Sequence, residues 1–399
     1  MDLKSDAFIR RPGDSCRVVP LPTFSSKQEA VACARSLYAV LAEAAGQADR
    51  ERGVPGYVIK DMVESGLLAI AAPRRFGGSE LGFSAMMEVA AEIGAACGSA
   101  GWLFGVFAGH YWIVALFPEA AQREVFADRR SLVSSVTRLS GVASAVDGGY
   151  RLHEGQGRFS SGIDHADWVI VGNHVQQNEG PPRLAFFLVP KSDVIVLDDW
   201  YTFGMRGTGS RSIEVKDVFV PAERMIWVDE MNQGTAPGSA LNSAHQFKIP
   251  GYVANVLALV GAPLGIARSA VNAFAQMMTT RFADSAERQT AAIARLSEAA
   301  TKVDAATALV LRDCEAIDGA LTSLSGLEGA RIRRNAAFAA QQCRQAVNLV
   351  FEVGGGSGIY DTAPMQRFWR DANAAAAHFA FSWDVAADSY GRARIELPI

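Results

Sequence analysis

The spacing of apolar and polar positions changes character twice along the chain. From about Ser26 to Arg130 it is helical. The run Ser84–Ala108, rich in Ala, Met and Leu with few breakers, predicts helices buried against one another. Pro73–Gly82 (PRRFGGSELG) interrupts this region as a glycine-rich loop. Near Ser131 short β-branched runs take over: Tyr150–His153, Trp168–Gly172, Ala185–Val189 and Ile213–Val220. Turn residues at Gly148-Gly149 and Glu179–Pro182 separate some of them, which predicts a compact antiparallel barrel or sandwich. From about His245 to Arg392 helical spacing returns, in Tyr252–Arg281, Glu287–Ile317 and Leu327–Val353. A fourth stretch begins near Gln366 and passes through Ala374–Ala377, enough for an antiparallel four-helix bundle. The predicted architecture is α+β: a helical domain over residues 1–130, a β-barrel domain over 131–240 and a C-terminal helical bundle over 241–399.

Composition narrows the function classes. The 399 residues are 49% hydrophobic and 20% charged, an ordinary globular balance. A net charge of -4 argues against nucleic-acid binding, which needs a basic face. The opening MDLKSDAFIRRPGD lacks the apolar core of a signal peptide. Apolar stretches such as Val253–Gly261 fall short of the ~20 residues that span a bilayer. Five cysteines without close pairing suggest neither a disulfide framework nor a CxxC metal site. His153, His165, His174 and His245 have no metal-ligand spacing, so no metal is expected. The expectation is a cytoplasmic enzyme with no membrane or nucleic-acid partner.

Four local motifs add a resemblance over nearly the whole chain. Gly66-Leu67-Leu68 with Pro73–Gly78, then Phe203–Gly209, Val218–Pro221, and finally Gly354-Gly355-Gly356 with Arg370-Asp371 resemble, in that order, the acyl-CoA dehydrogenase superfamily. That resemblance implies the helix–barrel–bundle fold and a flavin in the groove between barrel and C-terminal helices, usually in a homotetramer. It also implies that Arg281 holds the flavin pyrophosphate and that Gly354, Gly355 and Gly356 let backbone approach the nucleotide end.

A dehydrogenase of this family needs a glutamate base beside the flavin, either just after the Arg-Asp pair or on the first bundle helix. Here Arg370-Asp371 is followed by Ala372-Asn373-Ala374-Ala375-Ala376-Ala377-His378, and no glutamate occurs between Glu230 and Glu287. The family's acid and proline at the start of the barrel are also missing from Thr137-Arg138-Leu139-Ser140-Gly141, which keeps only the threonine. Other segments resemble the oxygenase components of two-component flavin monooxygenases, the group of 4-hydroxyphenylacetate and steroid-phenol hydroxylases. They are Cys97–Trp102, His110, Phe117-Pro118, Gln122, Phe159–Gly162, Asp164–Ala166 and Gly204–Ser210.

This narrower resemblance implies a chemistry. Reduced flavin (FMNH2 or FADH2) reacts with O2 to a C4a-hydroperoxide that oxygenates a phenolic or polycyclic aromatic substrate. The chain has no G-x-G-x-x-G after a predicted strand, so a separate NAD(P)H-dependent flavin reductase is expected. By the resemblance His378 delivers a proton to the peroxide and His110 meets the phenol hydroxyl. Ser161 lies beside flavin N5, with Thr137, Ser160 and Gly162 also along the flavin. Trp112 and Phe107 could wall the substrate. Oxygenation at sulfur or nitrogen, and a flavin dehydrogenase, are the competing readings.

Overall fold

A computed structural model describes residues 20–281, 286–320 and 323–397, without the side chains of 280–281 and 286–288. In the N-terminal region α1 (Lys27–Ser36), α2 (Tyr38–Glu51) and α3 (Gly56–Glu64) precede the Pro73 loop. The buried hairpin α4 (Phe83–Ala96) and α5 (Gly98–Val114) follows, then α6 (Glu119–Phe126). The ends of these helices are specified locally. Ser26 accepts from the Glu29 amide at the start of α1. The first amides of α4 instead donate to a distant side chain: Phe83 N–H and Ser84 N–H reach the Asp318 carboxylate at 2.7 and 3.0 Å. The continuous apolar run Ser84–Ala108 is thus two helices, divided where Cys97 turns to extended backbone.

The middle region holds β1 (Val133–Val136), β2 (Val142–Val146), β3 (Gly149–Leu152), β4 (Gly155–Ser160) and β5 (Trp168–Val175). It continues with β6 (Arg183–Pro190), β7 (Ile195–Val196), β8 (Arg211–Val215), β9 (Val218–Pro221) and β10 (Met225–Trp227). Where a compact antiparallel barrel or sandwich was expected, two sheets form, one ordered β10-β6-β5-β2-β3-β9 with β1 also on β5, and a smaller β4-β8-β7 sheet, and their pairing is not antiparallel throughout. The departure centres on β5. It is antiparallel to β6 on one edge and parallel on the other to β1 and then β2, which share its length. The run Ile213–Val220 is likewise two strands in different sheets. Asp217, at φ 56°, turns the chain between β8 and β9.

Helices α7 (Val228–Gln233) and α8 (Pro237–Leu241) lead into α9 (Gly251–Arg281), α10 (Ala286–Asp318), α11 (Gly326–Gly354), α12 (Pro364–Ala376) and α13 (Trp383–Arg394). The three long helices lie within a residue or two of their predicted bounds, because apolar periodicity over thirty residues leaves little freedom. Ser325 and Glu328 close a capping box at the start of α11. Helix α9 is long and apolar enough to cross a membrane, but 83% of its most apolar window is buried inside the protein. Its apolarity is therefore accounted for by packing.

Buried side chains divide in a way the linear order hides. Helices from both ends of the sequence share one apolar core, which includes Met87, Phe104, Leu257 and Val347. Strand residues such as Val171, Phe187 and Ile213 form a second core. Close approach joins α5 to α9: a Cβ at Gly105 would run into the Ala258 carbonyl. Between these helices and the larger sheet lies a cavity.

Candidate active site

The cavity measures about 500 Å3 and is bounded by α5, α7, α9, β-sheet residues and the His378-Phe379 turn. Helix α5 supplies Trp102, Val106, Gly109 and Ile113, at three- and four-residue spacing on one face, together with His110 and Trp112. Tyr252, Asn255 and Leu259 do the same from α9. The deep walls are apolar, with Phe83 edge-on to Trp112 at 6.2 Å. Thr137, Arg138, Arg158, Phe159 and Phe379 are exposed and form the rim. Among the described residues no carboxylate lines the cavity.

His110 is 9% exposed, and its Nδ1 lies 2.6 Å from the Val133 carbonyl. A carbonyl only accepts, so Nδ1 carries the proton and Nε2 presents a lone pair. Burial pushes its pKa down to about 4, leaving a neutral ring near pH 7. His378 has the opposite order. It caps the turn after α12, and its Nδ1 accepts from the Ala380 N–H at 3.3 Å. The neutral ring therefore carries its proton on Nε2. Burial pushes this pKa down to about 4 as well. The resemblance implies that His378 delivers a proton; desolvation keeps its ring neutral, so what it offers toward the cavity is an Nε2–H hydrogen bond.

Trp102 links His378 to Ser161. Its indole meets the imidazole edge-on at 5.1 Å and donates to Ser161 Oγ at 3.3 Å. Eight residues separate Trp102 from His110 on α5, so the two histidine ends lie roughly 12 Å apart along the helix.

The remaining predicted residues separate by position. Trp112 lines the cavity, its indole fixed to the Gln246 carbonyl at 2.8 Å. Phe107 does not: it is fully buried beneath Gly162, where a Cβ would strike its ring. Gly162, at φ 72°, also turns the chain there and lies outside the lining. Ser160 is fully buried on the sheet side, hydrogen-bonded to Ser134 at 2.8 Å. Ser134 in turn donates to the Ser161 carbonyl, so this pair supports Ser161 from behind. Gly354 ends α11 beside Met277 of α9, away from the cavity with Gly355 and Gly356. The Arg281 side chain lies outside the described residues.

Motifs from the sequence stand behind the cavity as braces. Arg370 forms a fork with Asp49 at 2.7 and 2.9 Å and donates to the Phe203 carbonyl. Asp371, buried and with its pKa pushed up to about 6, accepts from Met205 N–H at 2.6 Å. Gln122 joins Arg75 of the Pro73 loop to the Phe117 carbonyl.

Sequence matching missed Phe83, Tyr252 and Asn255. A polar Asn255 in the apolar run VANVLALV was a usable signal. The rim residue Phe159, 64% exposed, lies in a segment that the sequence singles out, but its φ of 70° has no sequence signature, because that conformation comes from the irregular register of β4 against β8.

The comparisons with known proteins can now be set beside this geometry. Residues 28–129 match the acyl-CoA dehydrogenase N-terminal domain and residues 257–383 the acyl-CoA dehydrogenase C-terminal domain. The pigment production hydroxylase of Rhodococcus sp. (strain ATCC 21145) is 34% identical over 370 residues, covering 91% of this chain and 95% of that protein. The chain belongs to the acyl-CoA dehydrogenase family, in its flavin-dependent monooxygenase branch. The oxygenase component of the FADH(2)-dependent resorcinol hydroxylase from Rhizobium sp. (strain MTP-10005) is 32% identical, with 88% of this chain and 90% of that one covered. The crystal structure of the HsaA monooxygenase from M. tuberculosis superposes with a TM-score of 0.89 at 31% identity, covering 94% of this chain and 100% of that one. Among the described residues the cavity has no carboxylate of the kind a dehydrogenase of this family needs as base.

Proposed function

We propose that this chain is the oxygenase component of a two-component monooxygenase, hydroxylating a phenolic or polycyclic aromatic substrate with reduced flavin and O2. One observation carries the reading: one apolar cavity holds two neutral imidazoles of opposite tautomer and, among the described residues, no carboxylate. The residues present fit a flavin. The volume lies in the range of cofactor pockets, the walls are apolar, and the rim arginines Arg138 and Arg158 favour an electron-rich, anionic ring. Bound reduced flavin supplies the electron pair that splits O2, one atom entering the aromatic ring and the other leaving as water.

The protein's share is to bind, orient and keep the site dry. The lone pair on His110 Nε2 accepts the phenol proton, which raises electron density at the carbon ortho to oxygen. Trp112 and Phe83 hold the ring. His378 Nε2–H donates to the oxygen being transferred or its partner, and Trp102 keeps that imidazole upright. Thr137 and Ser161, which line the cavity, would border the flavin. By the resemblance, Arg281 and Gly354–Gly356 would hold its nucleotide end across a homotetramer contact built on the C-terminal four-helix bundle. A thioether or tertiary amine has no proton to give His110, which favours a phenol over a heteroatom substrate.

The test is a single turnover. Enzyme and reduced flavin (FMN and FAD in parallel) are mixed with 18O2 and a phenol panel. The reading expects one labelled oxygen per product and no oxidation of NAD(P)H by the chain alone. Absence of labelled product with every phenol, together with flavin-dependent oxidation of an acyl thioester, would overturn it.

A further inference from the structure

Behind Ser161 runs a chain of hydroxyls whose proton order is fixed. Ser161 Oγ lies 2.7 Å from Ser210 Oγ, Ser210 Oγ lies 2.7 Å from Thr208 Oγ1, and Thr208 Oγ1 lies 2.8 Å from the Met205 carbonyl. These are three hydrogen bonds served by three hydroxyl protons, and the far end is a carbonyl that can only accept. One arrangement fills all three. Thr208 donates to Met205, Ser210 donates to Thr208, and Ser161 donates to Ser210. Burial restrains the two inner hydroxyls, since Thr208 and Ser210 are 2% and 5% exposed.

The Ser161 proton is therefore committed away from the cavity. Its oxygen takes the Trp102 indole N–H on one lone pair, which leaves the other lone pair for whatever the cavity holds. Met205, which anchors the chain, is itself held by Asp371 through its N–H at 2.6 Å. The polarity of the whole series is thus set by α12 and the 203–210 loop, not by the ligand.

We propose that Thr208 and Ser210 are positioning residues that make Ser161 an acceptor only, and that this selects the redox state of the flavin. The proposal rests on the reading of this cavity as a flavin site. Reduction turns the flavin N5 from a bare nitrogen, which accepts, into an N–H, which donates. An acceptor-only hydroxyl at the ring edge pairs with the reduced form and opposes the oxidised one with lone pair against lone pair. A serine free to rotate would serve both forms alike.

The experiment compares binding, not turnover. Wild type, Ser210→Ala, Thr208→Val and Ser161→Ala are titrated anaerobically with reduced and with oxidised FMN and FAD. Wild type is expected to bind the reduced form more tightly. Ser210→Ala releases the Ser161 proton, so oxidised flavin should bind roughly 10-fold tighter and the reduced-to-oxidised preference should fall by that factor. Thr208→Val should shift the preference the same way, because Ser210 can then turn its proton toward Ser161. Ser161→Ala should weaken the reduced form and only relieve the opposition to the oxidised one, so oxidised flavin should gain less than in Ser210→Ala, which separates a directional effect from general loosening. The 15N resonance of N5 in bound oxidised flavin supplies a second readout, moving toward the hydrogen-bonded position in Ser210→Ala and Thr208→Val but not in Ser161→Ala. An unchanged preference in both Ser210→Ala and Thr208→Val, with wild type still favouring reduced flavin, would overturn the proposal and leave the functional reading standing. Failure of wild type to bind flavin in either state would overturn both.

Discussion

The two ends of the cavity use the same side chain in opposite senses. At the deep end His110 gives its proton to the Val133 carbonyl and turns a bare Nε2 inward. Near the rim His378 takes a proton from the Ala380 amide at Nδ1, so its Nε2 keeps one. Burial pushes both rings down to about 4, so neither difference nor function comes from charge. The backbone decides. A carbonyl behind one ring and an amide behind the other make one imidazole an acceptor and its neighbour a donor, in a site too dry to sustain either as a cation.

Substitutions at the two ends should fail differently. His110→Ala removes the acceptor and is expected to cost ~100- to 10,000-fold in hydroxylation, with flavin affinity kept and most O2 recovered as H2O2. Product and peroxide yields per reduced flavin check this. His378→Ala should cost roughly 100-fold and release H2O2 even when no phenol is present, because the lost donor serves oxygen and not substrate. Equal behaviour of the two variants with and without phenol would erase the comparison.

A smaller effect separates walls from braces. Trp112→Phe should change the ranking of aromatic substrates by only ~10-fold, read from kcat/KM across a phenol series. Phe107→Ala, beneath Gly162 and outside the cavity, should instead lower stability by about 3–5 kcal/mol in denaturant unfolding. It should leave that ranking unchanged.

The pH dependence is gentler still. Both histidines have folded pKa values below the unfolded value, so the unfolded chain takes up protons first as pH falls. Their contribution is complete above about pH 6.5 and is lost between there and about 4. Asp371 has the opposite sign: its pKa, raised to about 6, adds stability at low pH that fades as pH rises through 6. Denaturation midpoints from pH 4 to 8 should therefore slope more steeply in Asp371→Asn, which removes the opposing group, than in wild type.

Much of this was legible in the chain, for reasons that differ by region. The long helices were, since periodic apolar residues over eight turns have few alternatives, and the alanine run before His378 marked a place with room around it. The sheet was harder. Pairing is non-local, so nothing near Val133 announces that β1 lies parallel to β5, and β4 (GQGRFS) has almost none of the usual strand residues. Residues that line the cavity were legible where a residue type stands out, as His110 and His378 do. Phe107 was assigned to the wrong face of its helix: on α5, apolar on every side, sequence cannot say which aromatic faces the cavity. The opposite tautomers were beyond reach altogether, because they depend on which backbone group stands behind each ring.

The central claim is that opposition, and imidazole nitrogen spectroscopy tests it directly. Two-bond 1H–15N correlation spectra of the 15N-histidine protein, assigned with His110→Ala and His378→Ala, report which nitrogen carries the proton. The account predicts a neutral Nδ1–H form for His110 and a neutral Nε2–H form for His378, both persisting from pH 8 down to about 5. The same tautomer at both positions, or an imidazolium at either one at pH 7, would contradict it.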